Sequence, residues 1–139
     1  MATPVVLSYG FGTDSSALLA RWLNRPQCRD FDLKDLIVLS AMTGDEFPDT
    51  GTDVTTHILP LLRKHRVRLV QLARNSLYRE DGYSVLSDSD QPDRLFIEGK
   101  FKLSEELSLA GTVPQVAQGR RWCSQKFKGE VLDWWVSKY

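Results

Sequence analysis

The chain has 139 residues and a mass of 15.8 kDa, which is the usual length of one domain. Hydrophobic residues make up 42% of it and the mean hydropathy is −0.30, so the composition excludes a disordered chain, a collagen-like repeat and a membrane-spanning protein. Eighteen basic side chains balance eighteen acidic ones, so no overall charge attracts nucleic acid.

The cysteines and the first residues indicate the compartment. Cys28 and Cys123 are too few for a disulfide framework and are not spaced as a metal-binding pair, which argues against a secreted scaffold, a zinc finger and an iron–sulfur cluster. The segment Met1–Leu7 lacks a basic stretch followed by a long apolar one, so we expect no secretory signal. The sequence therefore predicts a cytoplasmic protein.

The charges are unevenly distributed along the chain. Residues 1–60 carry eight acidic and four basic side chains, whereas residues 100–139 carry seven basic and four acidic ones. Two interpretations stay open: the two ends form opposite walls of one cleft, or both are ordinary solvated faces.

The first half of the chain alternates apolar runs with segments of helical spacing. Val5–Leu7 predicts a strand, and a glycine-rich loop and a helix follow it, the helix ending near Pro26. Leu36–Leu39 predicts a strand buried on both faces. The next helix contains Val54, Ile58, Leu61 and Leu62, with Pro60 expected to kink or shorten it, and a third strand is predicted over Arg68–Ala73.

The second half is less regular. Residues 74–101 predict a flexible excursion or a small hairpin around Tyr83 and Val85. A short helix is expected from Leu103 to Leu109, and a last helix contains Phe127, Val131, Trp134 and Trp135.

His57 and His65 are interpreted as surface or helix-capping residues.

This order predicts the fold class. Three strands that alternate with two helices favour an α/β protein with a doubly wound, mostly parallel sheet and helices on both faces, in a single domain over residues 1–139. Ligands of such folds bind at the carboxyl ends of the strands, where the two glycine-containing loops Ser8–Ser15 and Ser40–Gly51 lie.

The loop Ser8–Ser15 carries the strongest chemical signal. Its glycines allow backbone N–H groups to approach phosphate oxygens, and the following helix adds unpaired N–H donors and the positive end of its dipole. It matches neither the Walker loop nor the dinucleotide-binding fingerprint. The alternative is a simple strand-to-helix turn, capped by Asp14 or Ser15.

Three segments in order resemble one superfamily. Val6–Leu19 is similar to the pyrophosphate-binding (PP) loop of the adenine nucleotide alpha hydrolases, whose pattern is serine, glycines, any residue, aspartate and serine or threonine. Thr43–Thr50 is similar to the Thr-Gly-x-x-Phe-Pro-Glu-Thr segment of its phosphoadenosine phosphosulfate reductase-like branch, and Arg120–Lys126 resembles that branch's Arg-x-Cys-x-x-x-Lys segment. The matches spread over most of the chain.

The resemblance implies a site for ATP or a sulfated adenine nucleotide. Phe11 stands where many members have glycine, and Thr13 where many have lysine. The adenine base would lie against the end of the second strand. The implied nucleotide-binding residues are Ser8, Tyr9, Gly10, Phe11, Gly12, Thr13, Asp14, Ser15, Ala41, Met42, Thr43, Gly44, Arg120 and Lys128.

Charged residues near these segments complete the expected site. Asp45 and Glu46 could hold Mg²⁺ against the phosphates, the alternative being surface acids in a turn. The basic residues near the end of the chain could neutralise phosphate or sulfate, the alternative being an exposed basic face. The predicted catalytic residues are Asp14, Ser15, Arg121, Lys126 and Cys123, the last because cations lower a thiol pKa.

Three functions are compatible with these residues. The first is an ATP pyrophosphatase that adenylates an unidentified acceptor and releases pyrophosphate. The second is thiol-dependent reduction of a sulfated nucleotide, although no cysteine follows Cys123. The third is a short, non-catalytic nucleotide-binding module that needs a partner chain or a second copy, docked through the helix containing Trp134 and Trp135. A membrane partner is not expected, and a nucleic acid is not indicated.

Overall fold

The computed structural model describes residues 3–42, 48–76, 78–96, 116–117, 120–121 and 128–138, together with residue 108. The strands are β1 (Val5–Ser8), β2 (Leu36–Met42), β3 (Arg68–Arg74), β4 (Tyr83–Ser89), β5 (Val116–Ala117) and β6 (Arg120–Arg121). The α-helices are α1 (Thr13–Asn24), α2 (Pro48–Asp53), α3 (Leu59–His65) and α4 (Glu130–Val136). The helix predicted over 103–109 lies outside the described residues, apart from Ser108.

The main sheet is an open, mixed one of four strands in the order β1-β2-β3-β4. β1, β2 and β3 are parallel, with Val5 opposite Leu36 and Ile37 opposite Arg68, and β4 pairs antiparallel with β3. The three predicted strands and the α/β class are confirmed. The irregular segment 74–101 contains one described strand, β4, which forms a hairpin with β3 and not a hairpin within the segment. A doubly wound sheet would have a further strand on the side of β1 that does not face β2. No described strand lies there, so the doubly wound arrangement stays a prediction.

Helices cover both faces of this sheet. α1 and α3 pack on one face, over Leu36, Val38 and Leu69. α4 packs on the other face, where Val131 and Trp135 contact a cluster formed by Ile37, Leu39, Ala41, Val70 and Leu72. Alternate residues of β2 therefore point into two different cores, and all seven of its residues are buried. This explains why the strand is an uninterrupted apolar run.

A π-helical turn joins α2 to α3. It covers Val54–Ile58, and the backbone N–H of Leu59 donates to the carbonyl of Val54, five residues back. Pro60 has no N–H to donate and its ring would clash with the carbonyl of Thr56 in a regular α-helix. The wider turn avoids that conflict without ending the helix, so the predicted distortion at Pro60 is confirmed.

Buried polar side chains attach two outer segments to the sheet. The Gln71 side chain is buried, donates to the carbonyl of Arg94 at 2.9 Å and accepts from the N–H of Phe96 at 2.7 Å. Arg74 ends β3 with its side chain 2% exposed, and its guanidinium lies 2.9 Å from the Glu130 carboxylate of α4. Because a buried cation needs a partner, this pair anchors α4 at the carboxyl end of β3.

The described residues contain no helix that is both long enough and apolar enough to cross a membrane.

His65, predicted as a surface or helix-capping residue, is the last residue of α3. It is half-buried at the end of α3, and its Nε2 atom is buried with no hydrogen-bond partner among the described residues. Burial lowers the pKa of His65 below its usual 6.5, and the nearby Lys64 and Arg29 act in the same direction. The folded chain therefore holds this imidazole neutral at a pH where the unfolded chain protonates it.

This arrangement predicts a pH-dependent stability. As the pH falls below the usual histidine value, the unfolded state binds the proton first, so His65 lowers the free energy of unfolding; above that value it has no effect. Replacing His65→Gln should reduce the loss of stability between pH 7 and pH 5, measured by urea denaturation at each pH. An identical pH profile for wild type and variant would contradict the prediction.

Candidate functional site

The loop between β1 and α1 begins as an extension of the sheet. The N–H of Tyr9 donates to the carbonyl of Leu39 at 2.7 Å, so the chain stays paired with β2 for one residue beyond β1. The Tyr9 side chain is 2% exposed, and its hydroxyl lies 2.6 Å from that of Ser16 on α1. Burial raises the pKa of Tyr9, so the phenol is neutral and acts as a brace between loop and helix.

Phe11 gives the loop its turn. Its backbone has φ 64°, the left-handed region that glycine adopts freely and that costs other residues about 1 kcal/mol or more. The ring offsets that cost by packing into the core at 7% exposure, edge-on to Tyr9 with the ring centres 5.3 Å apart. Many members of the family that this loop resembles have glycine at the position of Phe11. The backbone conformation of Phe11 is one that glycine adopts freely.

The first turn of α1 is open. Gly12 is the residue before the helix, with an ordinary φ of −75°, and no side chain caps the helix start. Ser15 donates instead to the carbonyl of Gly12 at 3.4 Å, so the interpretation of Asp14 or Ser15 as the cap is wrong. A Cβ atom built on Gly12 meets no atom of the described residues within 4 Å. The N–H donors of Thr13, Asp14 and Ser15 therefore face accessible space, together with the positive end of a helix of 12 residues.

A lysine from the far end of the chain reaches this loop. The Nζ atom of Lys128, in the turn that leads into α4, lies 3.7 Å from the position of a Cβ atom on Gly10. Lys128 lies 115 residues after Thr13, the first residue of α1. The fold brings them together through the Arg74–Glu130 pair, which attaches α4 to the same end of the sheet.

The predicted base-binding residues are part of the core. Ala41 and Met42, at the end of β2, are 6% and 2% exposed. Their side chains are thus hardly available for contact, and a base would reach only the strand end beyond them. Thr43, Gly44, Asp45 and Glu46, which follow, lie outside the described residues.

The remaining predicted residues are only partly described. Arg120 and Arg121 form β6, with Arg121 paired to Val116 of β5, but their side chains lie outside the described part of the structure. Cys123 and Lys126 lie outside it altogether. Within the described residues no group of three His, Cys, Asp or Glu side chains could hold a metal ion, so Mg²⁺ stays a prediction that depends on Asp45 and Glu46.

Sequence reasoning missed a cleft beside the loop. It has a volume of about 580 Å³ and lies between the start of α1 and the turn that joins α2 to α3. Its lining comprises Phe11, Thr13, Ser16, Ala17, Thr50, Asp53, Val54, His57 and Ile58. The spacing of Thr50, Asp53 and His57 indicates one helical face, but nothing in the sequence shows that this face meets α1.

Comparisons with protein-family models, with curated proteins and with solved structures find no match to this chain. The resemblance to the adenine nucleotide alpha hydrolases therefore depends on the three sequence segments alone.

The open space at Gly12 generates a prediction that separates binding from folding. Gly12→Ala adds a methyl group where an anion would meet the helix start, so we expect affinity for ATP to fall about tenfold or more in calorimetric titration. The free energy of unfolding should change by less than about 0.5 kcal/mol, because φ is ordinary and nothing is displaced.

Gly82 provides the matched control. Its φ is +76°, so Gly82→Ala should lower the free energy of unfolding by about 1 kcal/mol and leave ATP affinity unchanged. Equal ATP affinity in wild type and Gly12→Ala would show that no ligand occupies the space in front of α1.

Proposed function

We propose that this protein binds ATP with its phosphates at the start of α1 and cleaves it between the α- and β-phosphates, adenylating a second substrate and releasing pyrophosphate. One observation carries the proposal: the uncapped start of α1 faces open space at Gly12 while the Lys128 ammonium group lies beside Gly10. Helix N–H donors and a lysine cation are the groups that hold a polyphosphate.

The loop backbone also supports the resemblance. The left-handed conformation of Phe11 is the one that glycine adopts most readily, and glycine is what many members of the resembling family have there. The same resemblance implies the doubly wound fold, with further strands beyond β1. That finer fold is part of this proposal, because the described strands extend from β1 in one direction only.

The proposed step needs positioning and charge more than a special base. An oxygen atom of the second substrate attacks the α-phosphorus, its bond to phosphorus forms, and the bond from phosphorus to the bridging oxygen of the β-phosphate breaks. The leaving pyrophosphate keeps that electron pair and takes up any proton that the attacking oxygen carried, and its charge is stabilised by the N–H groups of Thr13, Asp14 and Ser15 and by Lys128. Mg²⁺, if Asp45 and Glu46 hold it, would offset further phosphate charge.

The other two functions predicted from the sequence differ in their dependence on this geometry. Reduction of a sulfated nucleotide depends on Cys123, which lies outside the described residues, so no structural observation favours it. A non-catalytic module would use the same phosphate contacts, and turnover is what separates it from the enzyme.

Lys128 provides the sharpest test of nucleotide binding. Lys128→Met removes the cation and keeps the aliphatic stem, so we expect the dissociation constant for ATP to rise about tenfold, the loss of one charge-assisted hydrogen bond. The control is Lys138→Met. The Nζ atom of Lys138 lies 3.8 Å from the ring centre of Trp134, which is a residue of α4, and Lys138 itself follows the end of that helix, away from the loop. Equal losses in the two variants, or no loss in either, would contradict the proposed role of Lys128.

The reaction itself is tested with labelled ATP. The protein is incubated with α-labelled or γ-labelled ATP and a small-molecule cell extract as the source of acceptors, and the products are separated. We expect γ-label in pyrophosphate and α-label in an adenylated product or AMP, with both reduced in Gly12→Ala. Release of γ-label as orthophosphate would contradict the reaction, and tight binding without any release would leave the binding module as the function.

A further inference from the structure

The cleft beside the loop suggests what the second substrate is. Two of its lining residues, Phe11 and Thr13, belong to the loop and to the first turn of α1, so it opens directly beside the proposed phosphate site. Its volume of about 580 Å³ is that of a small-molecule site rather than of a surface for a macromolecule.

Charge in the cleft favours a cation. Among the described residues that line it, Asp53 carries the only formal charge at neutral pH with histidine counted as neutral, and no lysine or arginine is present. No described side chain forms an ion pair or hydrogen bond with the side chains of Asp53 or His57. A carboxylate in a concave site with no cation of its own attracts a positively charged group.

The rest of the lining favours a short hydrocarbon part next to that charge. Ala17 supplies exposed apolar surface, Phe11, Val54 and Ile58 border the cleft with less than a tenth of their surface exposed, and the hydroxyl groups of Thr13 and Thr50 supply hydrogen-bonding partners. Phosphates bound at the start of α1 would add negative charge at the other end of the cleft. A cation placed here therefore lies between two negative groups.

We infer that the cleft between α1 and the α2–α3 turn binds the acceptor of the adenylation, and that the acceptor is a small aliphatic or aromatic amine recognised through its ammonium group by Asp53. This inference rests on the proposed function. The ammonium group is what the cleft recognises; the oxygen that attacks ATP belongs to another part of the same molecule. His57 lies four residues after Asp53 on the same wall, and a ring nitrogen that carries no proton can accept one further hydrogen bond from the ammonium group.

The test uses two aliphatic probes of similar length and opposite charge. Butylammonium and butyrate are titrated separately into isotopically labelled protein, and binding is followed by the backbone amide shifts of Thr50, Val54 and Ile58. We expect butylammonium to shift these amides with an affinity at least about fivefold higher than butyrate. Equal affinities, a preference for butyrate, or shifts located outside the cleft would overturn the inference.

A pair of aspartates supplies the matched variants. Asp53→Asn should weaken butylammonium binding about fivefold, which is the effect of losing one exposed ion pair. Asp49→Asn makes the same change one turn earlier on α2, at a residue that does not line the cleft, and should leave affinity within about twofold. Both positions are exposed, so both variants should fold. The same loss in both would show that general charge, and not Asp53, attracts the probe.

A second titration separates this inference from the proposed function. With the non-hydrolysable analogue α,β-methylene-ATP present at saturation, butylammonium should still shift the cleft amides, with equal or higher affinity. If the analogue binds and displaces the amine, the cleft belongs to the nucleotide and the inference fails while ATP binding stands. If the analogue does not bind at all, the proposed function fails, and with it the assignment of the amine as an acceptor.

Discussion

The candidate site depends on the complete burial of one strand. β2 has all seven residues buried, pairs with β1 on one side and β3 on the other, and sends alternate side chains into two cores. Each buried leucine or isoleucine contributes about 1.5–3 kcal/mol of transfer free energy, so this strand cannot shift without large loss. Because Tyr9 continues the pairing with Leu39, the glycine-containing loop starts alongside a strand that is held on both sides and buried on both faces.

The loop itself is maintained by aromatic packing rather than by glycine alone. Phe11 keeps a left-handed backbone because its ring is buried against Tyr9, and the Tyr9 hydroxyl contacts Ser16 on α1. The two tyrosine contacts join the strand end, the loop and the helix into one unit. The open start of α1 is thus presented by a braced loop, and a site of this kind can bind an anion without first ordering the chain.

The opposite wall of the cleft is shaped by a proline. Pro60 prevents a regular α-helix over the preceding turn, and the wider π-helical turn changes the direction in which the residues before it project. His57 lines the cleft from this distorted segment, and Asp53 lines it from the end of α2 directly before. The steric conflict at Pro60 therefore affects the wall of the cleft that opens at the start of α1.

Local patterns in the sequence determined the strands β1, β2 and β3, the helix α1, the distortion at Pro60 and the α/β class, because each depends on side-chain periodicity or on the covalent limits of proline. The glycine-containing loop between β1 and α1 was predicted for the same reason: glycines between a strand and a helix are a local signal. The cap at Asp14 or Ser15 was wrong because Ser15 donates its hydrogen bond to Gly12 instead of accepting one. The burial of the Nε2 atom of His65 was not predicted, because it depends on neighbours distant in sequence.

Only the tertiary structure decided that Lys128 approaches Gly10, that Arg74 pairs with Glu130 and that a helical face of α2 meets α1 to form a cleft. These contacts join segments that are tens of residues apart, and they follow from how helices pack on a sheet. Periodicity shows which face of an element is buried but not what covers it, and for that reason the chain's own sequence indicates the glycine-containing loop and not the cleft beside it.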